Sequence, residues 1–265
     1  MDKIRFTVRG KWLGQPATAV GVVPATAGLA IPDANLYLNR VEIHSRGVAT
    51  NDIALVALLK DAVWGAGQWV DATTTYTDDT VGAQSAATND FPLETATGAN
   101  DGHIISALVK FGAVSYDITT AQAAASAVHI VEYWNGTAYV AIAAVGMLVD
   151  IPRSVVWPAG EFLMLFDPPS DWAKGGSGTG VPQDRFNLRV RGTPTTGTQA
   201  GLARRIYVGQ VFHSVLNIAQ DAASERSYPT PLYLPSSFFA ALGAAFGTAN
   251  EGNLVDLECT YGTAF

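Results

Sequence analysis

The sequence holds a single cysteine, Cys259, among 265 residues, so neither an intrachain disulfide framework nor a multi-cysteine zinc site is open to it. This usage fits assembly in a reducing compartment. Charge is also scarce: Asp, Glu, Lys and Arg make up 15%, against roughly 25% in ordinary soluble domains. No run reaches the roughly 18 consecutive apolar residues of a membrane-crossing helix. The opening Met1-Asp2-Lys3-Ile4-Arg5-Phe6-Thr7-Val8-Arg9 lacks the continuous apolar stretch of a secretory signal. The expectation is a soluble protein made inside a cell and not exported by a visible signal. Lys+Arg 16 against Asp+Glu 23 gives a net charge of -7, which disfavours wholesale binding to nucleic acid or to an anionic membrane.

The chain is rich in turn formers. Gly 26 and Pro 13 argue against a helix bundle and for an all-β protein of one large or two small domains. Ile4, Phe6 and Val8 alternate with Lys3, Arg5, Thr7 and Arg9, the period-2 pattern of a strand with one wet face, here an N-terminal β-arm. Residues 14–33 carry Pro16, Pro24 and Pro32, each barring an ordinary helix interior, and form an extended connector. Leu36 to His44 is a strand, whereas Ile53 to Val63 suits either a strand or two helical turns, ended by Gly65 and Gly67 in either case. Gln68 to Thr73 reads as a partner strand and Asp78 to Pro92 as a polar loop.

The strongest local pattern is Val128-His129-Ile130-Val131-Glu132-Tyr133-Trp134, then Asn135-Gly136, then Thr137 to Ile142. Asn-Gly supplies the positive φ angles of a two-residue type I′ turn, so a β-hairpin pairing Trp134 with Thr137 is expected. Val131, Tyr133, Ala138, Val140 and Ile142 then share the core face, while Glu132, Trp134, Thr137 and Tyr139 share the other. That second face suits a sugar platform, a subunit contact or packing under a neighbouring loop. In Arg185 to Arg191, Phe186, Leu188 and Val190 point inward and Arg185, Arg189 and Arg191 form a ladder on the opposite face. Three like charges in a row call for an acid across them, from this chain or from another, and Glu161, Asp167 and Asp171 are the nearby candidates within the chain. Pro168-Pro169 stops the preceding strand, and Gly175-Gly176-Ser177-Gly178-Thr179-Gly180 forms a mobile loop whose spacing does not match a P-loop. Further on, Ile206 to Val215 and Leu254 to Tyr261 are strands, and Ser236 to Phe246 resembles a short serine-capped helix.

Reactive groups do not cluster in the sequence. His44, His103, His129 and His213 are scattered and make no H-x-x-x-H or H-E-x-x-H pair. A Ser-His-Asp triad is assembled in space and leaves no fixed spacing, but no G-x-S-x-G elbow occurs. Asp78-Asp79, and Asp90 with Glu94, are the carboxylate pairs that a glycosidase or a calcium site would use. They lack the D-x-[DN]-x-[DN]-G spacing of a calcium loop and read as solvated loop acids.

Across residues 69 to 212, the order of Trp69 to Thr73, Asn89-Asp90-Phe91-Pro92-Leu93, Phe111 to Thr120, Glu132 to Ile142, Trp157-Pro158, Pro168 to Trp172 and Asn187 to Arg191 resembles a β-sandwich module of tailed-bacteriophage virion proteins. The resemblance implies a jelly-roll-like β-sandwich, no catalytic residues, no cofactor, and a location in the virion after assembly in the host cytoplasm. With it the chain divides into a β-arm and connector (1–35), the sandwich (36–215) and a C-terminal extension (216–265). The implied role is a capsid cement or decoration protein that contacts the major capsid protein or other virion proteins and copies of itself, a trimer being favoured. The alternative is a tail, baseplate or fibre component binding host glycans; a virion-associated hydrolase is a minor third. Candidate partner contacts are Arg5, Arg9, Lys11, Trp134, Tyr139, Arg185, Arg189 and Arg191.

Overall fold

The structure, a computed structural model, describes residues 3–9, 35–44, 51–59, 61–94, 100–124, 128–143, 147–149, 156–193, 200–218, 223–234, 238–242 and 254–262. The connector expected at 14–33 and Lys11 lie outside the described residues. The chain is all-β: antiparallel sheets dominate and helix is limited to short turns. It forms two compact units, one of Lys60–Val208 and one of Met1–Leu59 with Gly209–Phe265.

The second of these is built around two pairing sets. Strand β1 (Lys3–Arg9) pairs with β17 (Leu254–Gly262), which pairs with β2 (Asn35–His44), which pairs with β15 (Ala223–Leu234). The expected N-terminal arm is thus paired within its own chain, with Arg5 opposite Glu258 and Arg9 opposite Leu254. Arg40 on β2 bonds Glu42 at 3.0 Å and Glu225 on β15 at 2.6 Å. Pro229 and Pro231 fall where the β15–β2 register shifts, between Ser227 and Leu232, the kind of irregularity that tolerates residues without an N–H donor. Elsewhere β3 (Asn51–Leu58) pairs with residues 209–218 of β14 (Leu202–Ile218) and with β16 (Phe238–Leu242).

The choice left open at Ile53 and the helix expected from Ser236 both resolve to strand. Residues 53–58 are strand and not helical turns, because β3 is flanked by partners on both sides. The helix expected from Ser236 is instead strand β16 over Phe238–Leu242, where pairing with β3 overrides a weak helical propensity. β2 and β3 pair with C-terminal strands and group with them.

The unit Lys60–Val208 contains a six-stranded sheet in the order β10 (Tyr139–Ala141), β9 (His129–Trp134), β13 (Phe186–Gly192), β7 (Gly102–Ala107), β4 (Trp64–Val70), β5 (Thr75–Asp78). Facing it are β11 (Met147–Val149), β12 (Gly160–Phe166), β8 (Ala113–Thr120) and the first part of β14, with β6 (Phe91–Pro92) paired to Leu202 and Ala203. A 3-10 turn over Asp71–Thr73 links β4 to β5, and a one-turn helix, α1 (Thr80–Gln84), follows β5. The polar stretch expected to be loop from Asp78 to Pro92 therefore holds α1 and β6.

Side chains alternate across each strand, so the six-stranded sheet has an inner face toward β8 and an outer face away from it. His103 of β7 meets Tyr116 of β8 across the inner layer, ring centroids 5.5 Å apart. Ile105, Val114, Val131, Met164, Leu188, Val190 and Ile206 are all buried, and Phe111, Phe166 and Trp172 stack at 5.0–6.3 Å at one end. Every residue of β7 is buried, which requires cover on the outer face as well. Gly65 and Gly67 do not end a segment: they lie inside β4, where a Cβ on Gly67 would sit 2.2 Å from the Thr77 carbonyl oxygen and 2.6 Å from the Tyr76 ring.

Candidate functional site

Five of the eight residues singled out from the sequence lie on or beside the outer face of the six-stranded sheet. The hairpin pairs Trp134 with Tyr139, not with Thr137. The cause is Asn135, whose Oδ1 accepts hydrogen bonds from the backbone N–H of Thr137 (3.0 Å) and of Ala138 (2.8 Å) and from the Thr137 hydroxyl (2.9 Å). That network closes a four-residue loop in place of a two-residue turn. The register moves by two residues, and a slip of two preserves faces where a slip of one would exchange them. Val131, Tyr133 and Ile142 accordingly remain in the core.

On the outer face, β9 and β13 set Glu132 directly opposite Arg189. The Glu132 carboxylate accepts Arg189 Nε at 2.8 Å, Arg191 Nε at 2.9 Å and Arg191 Nη2 at 3.1 Å, and Arg191 also bonds Asn100 Oδ1. Glu132 is 7% exposed, Arg189 12% and Arg191 21%, so these charges are mostly withdrawn from water. The acid that answers the ladder is thus Glu132; of the nominated acids, Asp171 accepts the Tyr133 hydroxyl at 3.0 Å, Asp167 is exposed, and the Glu161 side chain lies outside what the structure describes. The second guanidinium is met by aromatic faces. Arg189 lies 4.0 Å from the Tyr139 ring centre and 5.0 Å from that of Trp69, and each such contact contributes about 0.5–2 kcal/mol. Arg185 stands apart at the start of β13, near Gly65 and Thr80.

The glycine-rich segment lies over this face. It is strapped down, not mobile: Thr179 N donates to Thr74 O at 2.8 Å, Tyr76 N to Thr179 O at 2.8 Å, and Gly175 N to Arg185 O at 2.9 Å. The glycines permit contact that no side chain would allow. A Cβ on Gly178 would fall 2.6 Å from the Trp69 ring, and one on Gly176 2.5 Å from the Tyr139 hydroxyl. Val181 from this segment joins Trp69, Tyr76 and Ile104 in one apolar cluster, with Tyr139 packed against it. Of the three uses suggested for the Trp134–Tyr139 face, packing under a loop is the one observed. Burial pushes the Tyr76 and Tyr139 phenols above their usual range, so both rings stay neutral.

The inner face carries a second polar group that the sequence pattern did not bring together. Glu94, which is 1% exposed, accepts from Gln122 Nε2 and lies 3.4 Å from His129 Nε2. Gln122 exchanges bonds with the Trp157 backbone at 2.8 and 3.1 Å. His103, fully buried, has Nδ1 2.7 Å from Leu93 O and Nε2 3.0 Å from the Tyr116 hydroxyl. Asp90 is exposed and Glu94 buried, so they do not form the carboxylate pair weighed above. Among the described residues, no three His, Cys, Asp or Glu side chains gather in a way that could hold a metal ion. The candidate contacts Arg5 and Arg9 are on β1, in the other unit.

No family model matches this chain, and no curated protein or solved structure matches it.

Proposed function

We propose that the chain is a non-enzymatic structural protein of a phage particle, a capsid cement or decoration protein that stabilises the shell by contacts with the major capsid protein or other virion proteins and with copies of itself, as a trimer. One observation carries this reading. The stretches from Trp69 to Arg191 that resemble the virion module fall within a single compact unit, Lys60–Val208. Two facing antiparallel sheets with a buried aromatic core support the jelly-roll-like form that the resemblance implies. The charged and aromatic residues of the outer face support a scaffold role as well, because their bonds are made to one another: Glu132 to Arg189 and Arg191, Tyr139 to Arg189. The segments outside the module, β1 to β3 and β15 to β17, are the parts left to specify position on the particle.

The test uses the purified full-length chain. Analytical ultracentrifugation should give a trimer, and the protein added to shells lacking it should co-sediment with them and raise the temperature at which they open. A monomer that does not bind such shells overturns the proposal. Glycan-array binding that is lost in Trp134→Ala, with circular dichroism unchanged, would replace it with a host-recognition role in the tail, baseplate or fibre. That alternative has less support, since one face of the Tyr139 ring is occupied by the Arg189 guanidinium.

A further inference from the structure

We propose that His103, held between Leu93 and Tyr116, forms an acid latch that holds the two sheets of Lys60–Val208 together near neutral pH and releases them on acidification. The proposal starts from proton positions that the geometry fixes. Leu93 O has no hydrogen to give, so the 2.7 Å contact requires the proton to be on His103 Nδ1. His103 Nε2 is then the acceptor for the Tyr116 hydroxyl at 3.0 Å. Burial pushes the Tyr116 phenol far above its usual range, so it keeps its proton throughout. A neutral His103 is in this way satisfied at both nitrogens.

A second proton on His103 has no comparable place. It would lie at Nε2, where the Tyr116 hydroxyl would have to turn its own proton away and accept, and the resulting cation would sit in a fully buried site walled by the rings of Phe91 and Tyr116. The titratable groups around the site are Tyr116 from β8, His129 from β9, and Glu94, which adjoins the Leu93 carbonyl; Gln68 of β4 is the cross-strand neighbour. Of these only Glu94 is an acid, and its carboxyl group already faces His129 and Gln122. Burial first, and then repulsion from His129, pushes the His103 imidazole down to about 4, against an unperturbed value of about 6.5. The opened state therefore binds more protons between those two values, and stability falls as the pH drops through that window.

The latch spans the layers. His103 and His129 belong to the six-stranded sheet, Tyr116 to the facing sheet, and Trp157 lies beside both Tyr116 and His129, with ring centroids 5.5 and 4.7 Å away. A charge on His103 therefore sits where the two layers meet, away from water, and is relieved only when the sandwich opens.

Urea unfolding of the full chain at several pH values tests this. The closed-to-open ratio should fall about 100-fold more between pH 7 and pH 4 in the natural protein than in His103→Gln, which hydrogen-bonds without titrating. Equal pH slopes overturn the proposal. Should His103→Gln fail to fold, an NMR titration of the natural protein decides. A His103 ring that stays neutral to about pH 4 supports the latch, and one that protonates near 6.5 with the fold intact refutes it.

Discussion

The inner and outer faces of the six-stranded sheet each bury a carboxylate, and each neutralises it by a different chemistry. On the inner face Glu94 is held by an imidazole and an amide, beside a second imidazole that must stay neutral. On the outer face Glu132 is held by two guanidiniums, which do not lose their protons at any ordinary pH. One sheet thus has a face that depends on a buried imidazole staying neutral and a face whose cations keep their protons at any ordinary pH. The difference arises from strand parity: adjacent residues of β9, His129 to Glu132, alternate between the two environments, as do those of β7 and β13.

The largest effect should come from removing the outer carboxylate. Glu132→Gln keeps the shape and deletes the charge, leaving Arg189 and Arg191 side by side with no acid. Breaking a buried ion pair by removing one partner costs about 3–5 kcal/mol. The partial exposure of both arginines puts the expected loss near the lower end, about 3 kcal/mol. Urea denaturation at pH 7 measures it. A loss below about 1 kcal/mol would mean that the guanidiniums are held by water and aromatic faces rather than by Glu132.

How much of this was legible in the sequence depends on the distance between partners along the chain. Period-2 alternation identified the strands around Val131 and Leu188 and assigned their inward residues, because that information is local. The hairpin was placed at Asn135-Gly136, yet its register was not, since the side chain of Asn135 caps the loop and a propensity rule for the dipeptide does not anticipate it. The partner of the arginine ladder was misassigned to acids close in sequence. Glu132 is 57 residues from Arg189, and only the pairing of β9 with β13 brings them together. Glu94 and His129 are 35 residues apart and were unreadable as a pair for the same reason. Gly65 and Gly67 show a different ambiguity: a glycine that ends a strand and a glycine that admits a neighbouring ring are the same letter.

A middle-sized effect should separate packing from charge on the outer face. Gly102 is paired with Arg191 on the neighbouring strand, and a Cβ there would lie 2.0 Å from Val190 O and 2.6 Å from Arg191 Cα. Both obstacles are backbone, so no rotamer change relieves them. Gly102→Ala should cost about 2–3 kcal/mol, in the range of overpacked cores, and faster amide hydrogen exchange should be confined to β7 and β13. Exchange that accelerates over β9 and β10 as well would show that the Glu132 network, and not strand contact alone, depends on this close approach.

The smallest effect is the most discriminating for the outer face. The Tyr139 hydroxyl is buried with no hydrogen-bond partner among the described residues, while its ring carries Arg189 at 4.0 Å and Trp134 at 5.3 Å. Burying a hydroxyl without a compensating bond costs about 1–3 kcal/mol in proteins. Tyr139→Phe removes that hydroxyl and keeps the ring that receives the guanidinium, so stability should stay level or rise by up to about 1 kcal/mol. Tyr139→Leu removes the ring face too and should lose about 1–2 kcal/mol relative to Phe, the cation–π contribution with its packing. If Phe instead destabilises by more than about 0.5 kcal/mol, the hydroxyl has a partner, and the outer face is held together by hydrogen bonds where we read it as held by stacked rings and charge.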